Sequence, residues 1–159
     1  MIATFTAYNV SLWVHISAVV VGFGATFAEA VMVPVALKMD PRHLPYVHRL
    51  SLVINQRMAT PALVLILLTG IYQASDGDWD FGAVWISLSF VIVIALGGLL
   101  GAYFVPTDRK LGAMATRDLE GGGLSDEYQA LARREGQFGA LAGVLIILAI
   151  FLMVVKPGA

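Results

Sequence analysis

Two ionisable residues interrupt a long apolar run near the start of the chain, His15 and Glu29, fourteen positions apart with Gly22 midway. An imidazole in such a setting can ligate a haem iron or hydrogen-bond a neighbouring helix, and a carboxylate can close an ion pair or relay a proton or cation. An ionised group inside a spanning helix costs at least about 2.5 kcal/mol by insertion scales, so both must face the bundle interior or a water-filled cavity. Each seven-residue step drifts only about 20° around a straight helix, so His15, Gly22 and Glu29 share one face. They extend over roughly 21 Å of helix axis, and Ser11, Ala18, Ala25 and Thr26 border the same small and polar stripe.

Two readings stand open for each group. His15 is either a buried hydrogen-bond partner or an axial ligand. A bis-histidine site needs a second histidine at the same depth, and His43 and His48 lie at the other side, leaving water, a methionine or another subunit as its partner. Glu29 falls near the depth of Asn55, Gln56 and Arg57 at the start of helix two and of Arg134 and Glu135 at the start of helix four. That set is either an ion-paired or hydrogen-bonded cluster closing the end of the bundle, or part of a relay with Glu29 and Glu135 as its carboxylates. The candidate polar cluster or pathway is therefore His15, Gly22, Glu29, Asn55, Arg57, Arg134 and Glu135.

The elements that must position these residues follow from the placement of charge. All ten Lys and Arg residues except Lys156 lie in two segments between four long apolar stretches, residues 8–36, 58–75, 82–105 and 137–155. Each stretch is long enough to cross about 30 Å of hydrocarbon at about 1.5 Å per residue. With 58% of residues hydrophobic and only 13% charged, the chain is a polytopic membrane protein and not a soluble domain. The expected fold is all-α, a single four-helix transmembrane bundle over 1–159, with helices at about 8–36, 45–75, 82–118 and 125–155. The first stretch lacks a basic leader and reads as a retained helix.

Segment 36–57 carries Lys38, Arg42, Arg49 and Arg57, and segment 106–136 carries Arg109, Lys110, Arg117, Arg133 and Arg134, whereas 75–82 has three aspartates and no base. The positive-inside rule puts the two basic segments in the cytoplasm and the termini and segment 75–82 outside. Trp79 and Trp85 are expected in an outer interfacial belt, together with Tyr8 and Trp13. Asp40-Pro41 predicts a helix start, Ser125-Asp126-Glu127 another, Pro61 a bend and Gly121-Gly122-Gly123 a hinge. Three small-xxx-small pairs, Ala18/Gly22, Gly97/Gly101 and Gly139/Gly143, predict close helix contacts inside the bundle or with another subunit.

Several chemistries are excluded or unsupported. The absence of cysteine removes disulfides, thiolate metal sites and thiol catalysis, and no metal-ligand set is assigned. A net charge of −1 argues against a nucleic-acid partner. No serine, histidine and acid share one depth, and the glycine run lacks a following Lys-Ser or Lys-Thr, so no catalytic residue is assigned and the chain leans away from an enzyme.

Leu12-Trp13-Val14-His15, seven small or apolar residues and then Phe23-Gly24 make a first helix that resembles those of the CopD-like and HemJ-like bacterial membrane proteins. It is also similar to a group of four-helix integral membrane proteins of uncharacterised function, as are Leu68-Thr69-Gly70-Ile71-Tyr72 and Val105-Pro106 followed by Arg109-Lys110-Leu111. HemJ-like proteins bind haem b and oxidise protoporphyrinogen, and CopD-like proteins are associated with copper uptake. The resemblance implies a bacterial cytoplasmic (inner) membrane location and His15 as a haem b ligand. The lysine that HemJ-like proteins carry in a later helix is missing, since helix three has no basic residue, so their reaction does not come with it. The expected role is a haem-associated or accessory membrane subunit in the lipid bilayer, as a homo-oligomer or docked on partner helices. The alternative is a small channel or carrier with its path along His15, Gly22 and Glu29.

Overall fold

The computed structural model describes residues 6–158. Four long helices, α1 (Ala7–Lys38), α2 (Pro41–Asp76), α3 (Val84–Glu120) and α4 (Asp126–Val155), are each long and apolar enough to cross a membrane, and no strand occurs among the described residues. This is the all-α, four-helix membrane fold that the charge pattern predicts.

The helix starts follow local chemistry. Thr6 Oγ1 accepts from Asn9 N at 3.2 Å to open α1, and Asp40 Oδ1 accepts from Arg42 N at 2.9 Å ahead of Pro41 to open α2. Ser125 Oγ accepts from Tyr128 N at 3.2 Å to open α4, with Asp126 and Glu127 in its first turn complementing the helix dipole. Between α3 and α4, Gly122 takes the left-handed φ of +98° that glycine tolerates without strain. Asp118 ties that turn down by accepting from Ser125 N at 3.0 Å and from the Ser125 hydroxyl, and by pairing with Arg117 at 2.7 Å. The glycine run is thus a tethered turn.

Two prolines shape the middle of the bundle. Pro61 follows a π-helical turn at Asn55–Ala59, and Pro106 follows another at Leu100–Phe104. A proline ring lacks an N–H and crowds the carbonyl four residues back, and widening the preceding turn relieves that crowding. The N–H of Thr60 accordingly donates to Asn55 O, and that of Val105 to Leu100 O, each five residues back. The bend expected at Pro61 takes this form.

The helices change partners at these turns. Toward the end where α1 begins and α4 finishes, the terminal half, α1 packs along Thr60–Asp76 of α2 while Val84–Leu99 of α3 packs along α4. In the far half, Leu44–Ile54 of α2 packs along Val105–Glu120 of α3. Two apolar clusters result. The terminal-half cluster includes Phe23, Ala62, Ile66, Leu96, Ala142 and Ile146, and the far-half cluster holds Ala36, Leu44, Leu111, Met114, Ala115 and Tyr128.

Glycines that the sequence treats alike separate here. A Cβ on Gly22 would come within 2.7 Å of Ala62 Cβ, so α1 and α2 touch at that level, and Gly143 meets the Phe27 ring at 3.5 Å. Gly97, Gly101 and Gly139 have nothing within 4 Å of an added Cβ and so take no part in close packing within the chain. The aromatic belt is only partly as expected: Trp13 is 69% exposed on the apolar outside, but Trp85 is 8% exposed and turns inward. It packs edge-on against Trp79 at 5.4 Å, and Lys156 Nζ lies 4.4 Å over the Trp79 ring and 5.3 Å over that of Trp85.

Candidate functional sites

His15 is buried in the terminal half, where its Nδ1 lies 2.8 Å from Thr69 Oγ1. The Thr69 hydroxyl donates to Leu65 O, one turn back, so its oxygen is left to accept from His15 Nδ1–H. The Ile66 backbone hydrogen-bonds the same ring, and in the tautomer with the proton on Nδ1 the lone pair is on Nε2. A hydroxyl that orients the ring through one nitrogen is the arrangement that supports a ligating histidine. Gly70 lets the ring approach, since an added Cβ there would stand 3.7 Å from His15 Cε1.

The ring borders a cavity of about 430 Å³ between the four helices, inside the range of ligand pockets. Its wall is mostly apolar, with Phe23, Ile66 and Ile86 among its members. Its polar members besides His15 are Tyr8, Gln73, Ser89, Lys156 and Trp85, whose indole N–H is buried without an acceptor. Gln73 also donates to Ser11 Oγ at 3.3 Å, joining α2 to α1. Met153 lines the same cavity.

Gly22 and Glu29 are not part of that wall. At Gly22 α1 lies against Ala62, and Glu29 does not line the cavity at His15.

Glu29 belongs to a second constellation at the junction of the two apolar clusters, to which every helix contributes. Along α1 it falls between Phe23 and Ala36; along α2, His48 and Asn55 fall between Leu44 and Ala62; along α3, Asp108 falls between Leu96 and Leu111; along α4, Glu135 falls between Tyr128 and Ala142. Asn55 Nδ2 donates to Asp108 Oδ2 at 2.9 Å, and His48 Nε2 is 2.7 Å from the Tyr128 hydroxyl. Asp108 and Glu135 are close enough to Glu29 to repel its charge. Buried atoms without partners cluster here as well: Glu29 Oε1, His48 Nδ1, Tyr103 Oη and Glu135 Oε1.

The structure therefore gathers three of the expected residues, Glu29, Asn55 and Glu135, and separates the others. Arg57 and Arg134 are exposed, and the ion pairs found among the described residues are Lys110–Glu127 and Arg117–Asp118, neither of which touches the cluster. His48, Asp108 and Tyr128 complete the cluster and were not assigned from the sequence. Their signal lay in spacing: His48 and Asn55 are seven apart, as are Tyr128 and Glu135, which stacks each pair on one helix face. No metal-ligand set was assigned from the sequence either, yet one ring nitrogen of His48 and one oxygen each of Asp108 and Glu135 lie within 4.8 Å of one another.

A family model described as "Predicted integral membrane protein (DUF2269)" matches residues 9–157. No curated protein and no solved structure matches the chain.

Proposed function

We propose that this chain, which belongs to the integral membrane family DUF2269, is a cofactor-binding protein of the bacterial cytoplasmic membrane in which His15 holds haem b. The observation that carries this reading is a buried His15, held through Nδ1 by Thr69, on the wall of a large apolar cavity. The likeness of the first helix to those of HemJ-like proteins points the same way.

The donor set suits such a group. His15 would hold the iron through a ring nitrogen, and the Met153 thioether, which borders the same cavity, would be the second ligand in place of the missing histidine. Lys156 and the unpaired indole N–H of Trp85 offer a cation and a donor to an anionic edge of the ligand. The apolar wall excludes water from the rest. Bound haem supplies a one-electron redox centre, and the chain's part is to set its axial ligand, surroundings and access.

In this reading the far half, with the basic segments 36–57 and 106–136, faces the cytoplasm, and the termini lie outside. The open faces at Gly97, Gly101 and Gly139 favour association with a second copy or a partner helix, because small residues that pack against nothing in the chain leave room for another backbone.

The test is an absorption spectrum of protein purified in mild detergent from haem-supplemented cells, oxidised and dithionite-reduced. The expected result is a Soret band that shifts on reduction, is lost in His15→Ala and changes position in Met153→Leu. Colourless protein from wild type and variants alike contradicts the proposal.

A further inference from the structure

The polar constellation at the junction of the two halves is more than a set of acids. Three carboxylates in the interior of an apolar bundle have, among the described residues, a single amide donor between them, Asn55 Nδ2. Buried carboxylates without counter-charge are destabilising unless protonated or paired, and among the described residues no guanidinium or ammonium pairs with them.

His48 adds an independent observation. It is fully buried, at 0% exposure, with Nε2 engaged by Tyr128 and Nδ1 without any partner. If Tyr128 donates to Nε2, the Nδ1–H is stranded; if Nε2–H donates to Tyr128, the Nδ1 lone pair is stranded. A cation at Nδ1 resolves the second case and at the same time offsets the charge of the carboxylates.

We propose that His48, Asp108 and Glu135, from three different helices and with Glu29 of the fourth beside them, form a binding site for one divalent first-row transition-metal ion. The ligand atoms within 4.8 Å of one another allow a single ion to be reached by all three. One imidazole nitrogen with carboxylate oxygens selects a borderline ion such as Mn²⁺, Fe²⁺ or Zn²⁺, and the lack of cysteine disfavours Cu⁺. The surrounding contacts have the form of an outer shell. Tyr128 orients the imidazole and Asn55 orients Asp108, while the π turn that begins at Asn55 aims that residue inward.

A cavity of about 190 Å³ between α2 and α3 reaches His48 and Asp108 from the surface. Arg49 and Arg109 also border it, so a cation enters past two positive groups and loading is slow at low ionic strength.

The experiment uses full-length protein in mild detergent, stripped with chelator and titrated with Mn²⁺. Binding is read from loss of the free-ion paramagnetic resonance signal, and coordination from nitrogen coupling in the spin-echo spectrum. The expected result is one tightly bound Mn²⁺ per chain with nitrogen coupling, and affinity lower by about tenfold or more in both Asp108→Asn and Glu135→Gln. His48→Gln removes the nitrogen coupling. Substituting the exposed acids Asp126→Asn and Glu127→Gln leaves both readouts unchanged. No saturable Mn²⁺, bound Mn²⁺ without nitrogen coupling, or binding indifferent to both carboxylate variants each overturns the proposal. The wild-type nitrogen coupling decides the matter even where a variant does not fold.

Discussion

In the terminal half one imidazole is fixed by one hydroxyl and faced by an apolar cavity, whereas at the junction of the two halves three carboxylates and an imidazole crowd together around a single amide donor. The first arrangement sets one imidazole on an apolar wall, which suits a large ligand with one polar point of attachment. The second leaves several unpaired polar atoms close together, which suits a small ion with several. The same four helices make both because the π turns ahead of Pro61 and Pro106 let α2 and α3 exchange partners between the halves.

Packing differs in the same sense, and that difference can be broken experimentally. The far half owes its order to a compact cluster around Leu111 and Tyr128, both fully buried. Leu111→Ala should lower stability by about 3 kcal/mol, read as a lower midpoint of unfolding in denaturant, because the residue has no exposed surface through which a cavity could be relieved. An unchanged midpoint would mean that this half is not independently packed.

Glycine sharpens the comparison within the membrane. Gly22→Ala should cost about 2 kcal/mol, since the new methyl group meets Ala62 Cβ at 2.7 Å. The same change at Gly97 has nothing within 4 Å and should stabilise the chain by up to about 1 kcal/mol through helix propensity. If Gly97→Ala instead destabilises and shifts the protein to a smaller species in size-exclusion chromatography, the open face is an oligomer contact. The smallest effect expected is that of Tyr128→Phe, about 1 kcal/mol, from a lost hydrogen bond to a buried ring that leaves the fold otherwise intact.

The sequence made the scaffold legible because membranes impose strong rules on it. Apolar length located four helices, and Asp40-Pro41 and Ser125 announced two of their starts as found. It also singled out His15, Glu29, Asn55 and Glu135 as polar residues needing company. What it did not reveal is which residues would be the company. Arg57 and Arg134 share the right depth with Glu29, but depth does not fix rotation about the helix axis, and both side chains point outward. His48 and Asp108 were read as belonging to charged connecting segments, although each lies on the buried face of a helix that extends beyond the apolar stretch. The π turns, which re-aim those faces, have no signature except a proline two residues later. Thr69 stands out in the sequence only within the Leu68–Tyr72 segment, and its role depends on a partner fifty-four residues away.

The central claim is that the bundle holds two sites of separate chemistry. The most direct measurement is a paired determination of haem absorbance and bound Mn²⁺ on wild-type protein, His15→Ala and Glu135→Gln. His15→Ala should lose the Soret band and keep its Mn²⁺, while Glu135→Gln should keep the Soret band and lose Mn²⁺. Variants that lose both ligands together, or neither, would contradict that claim.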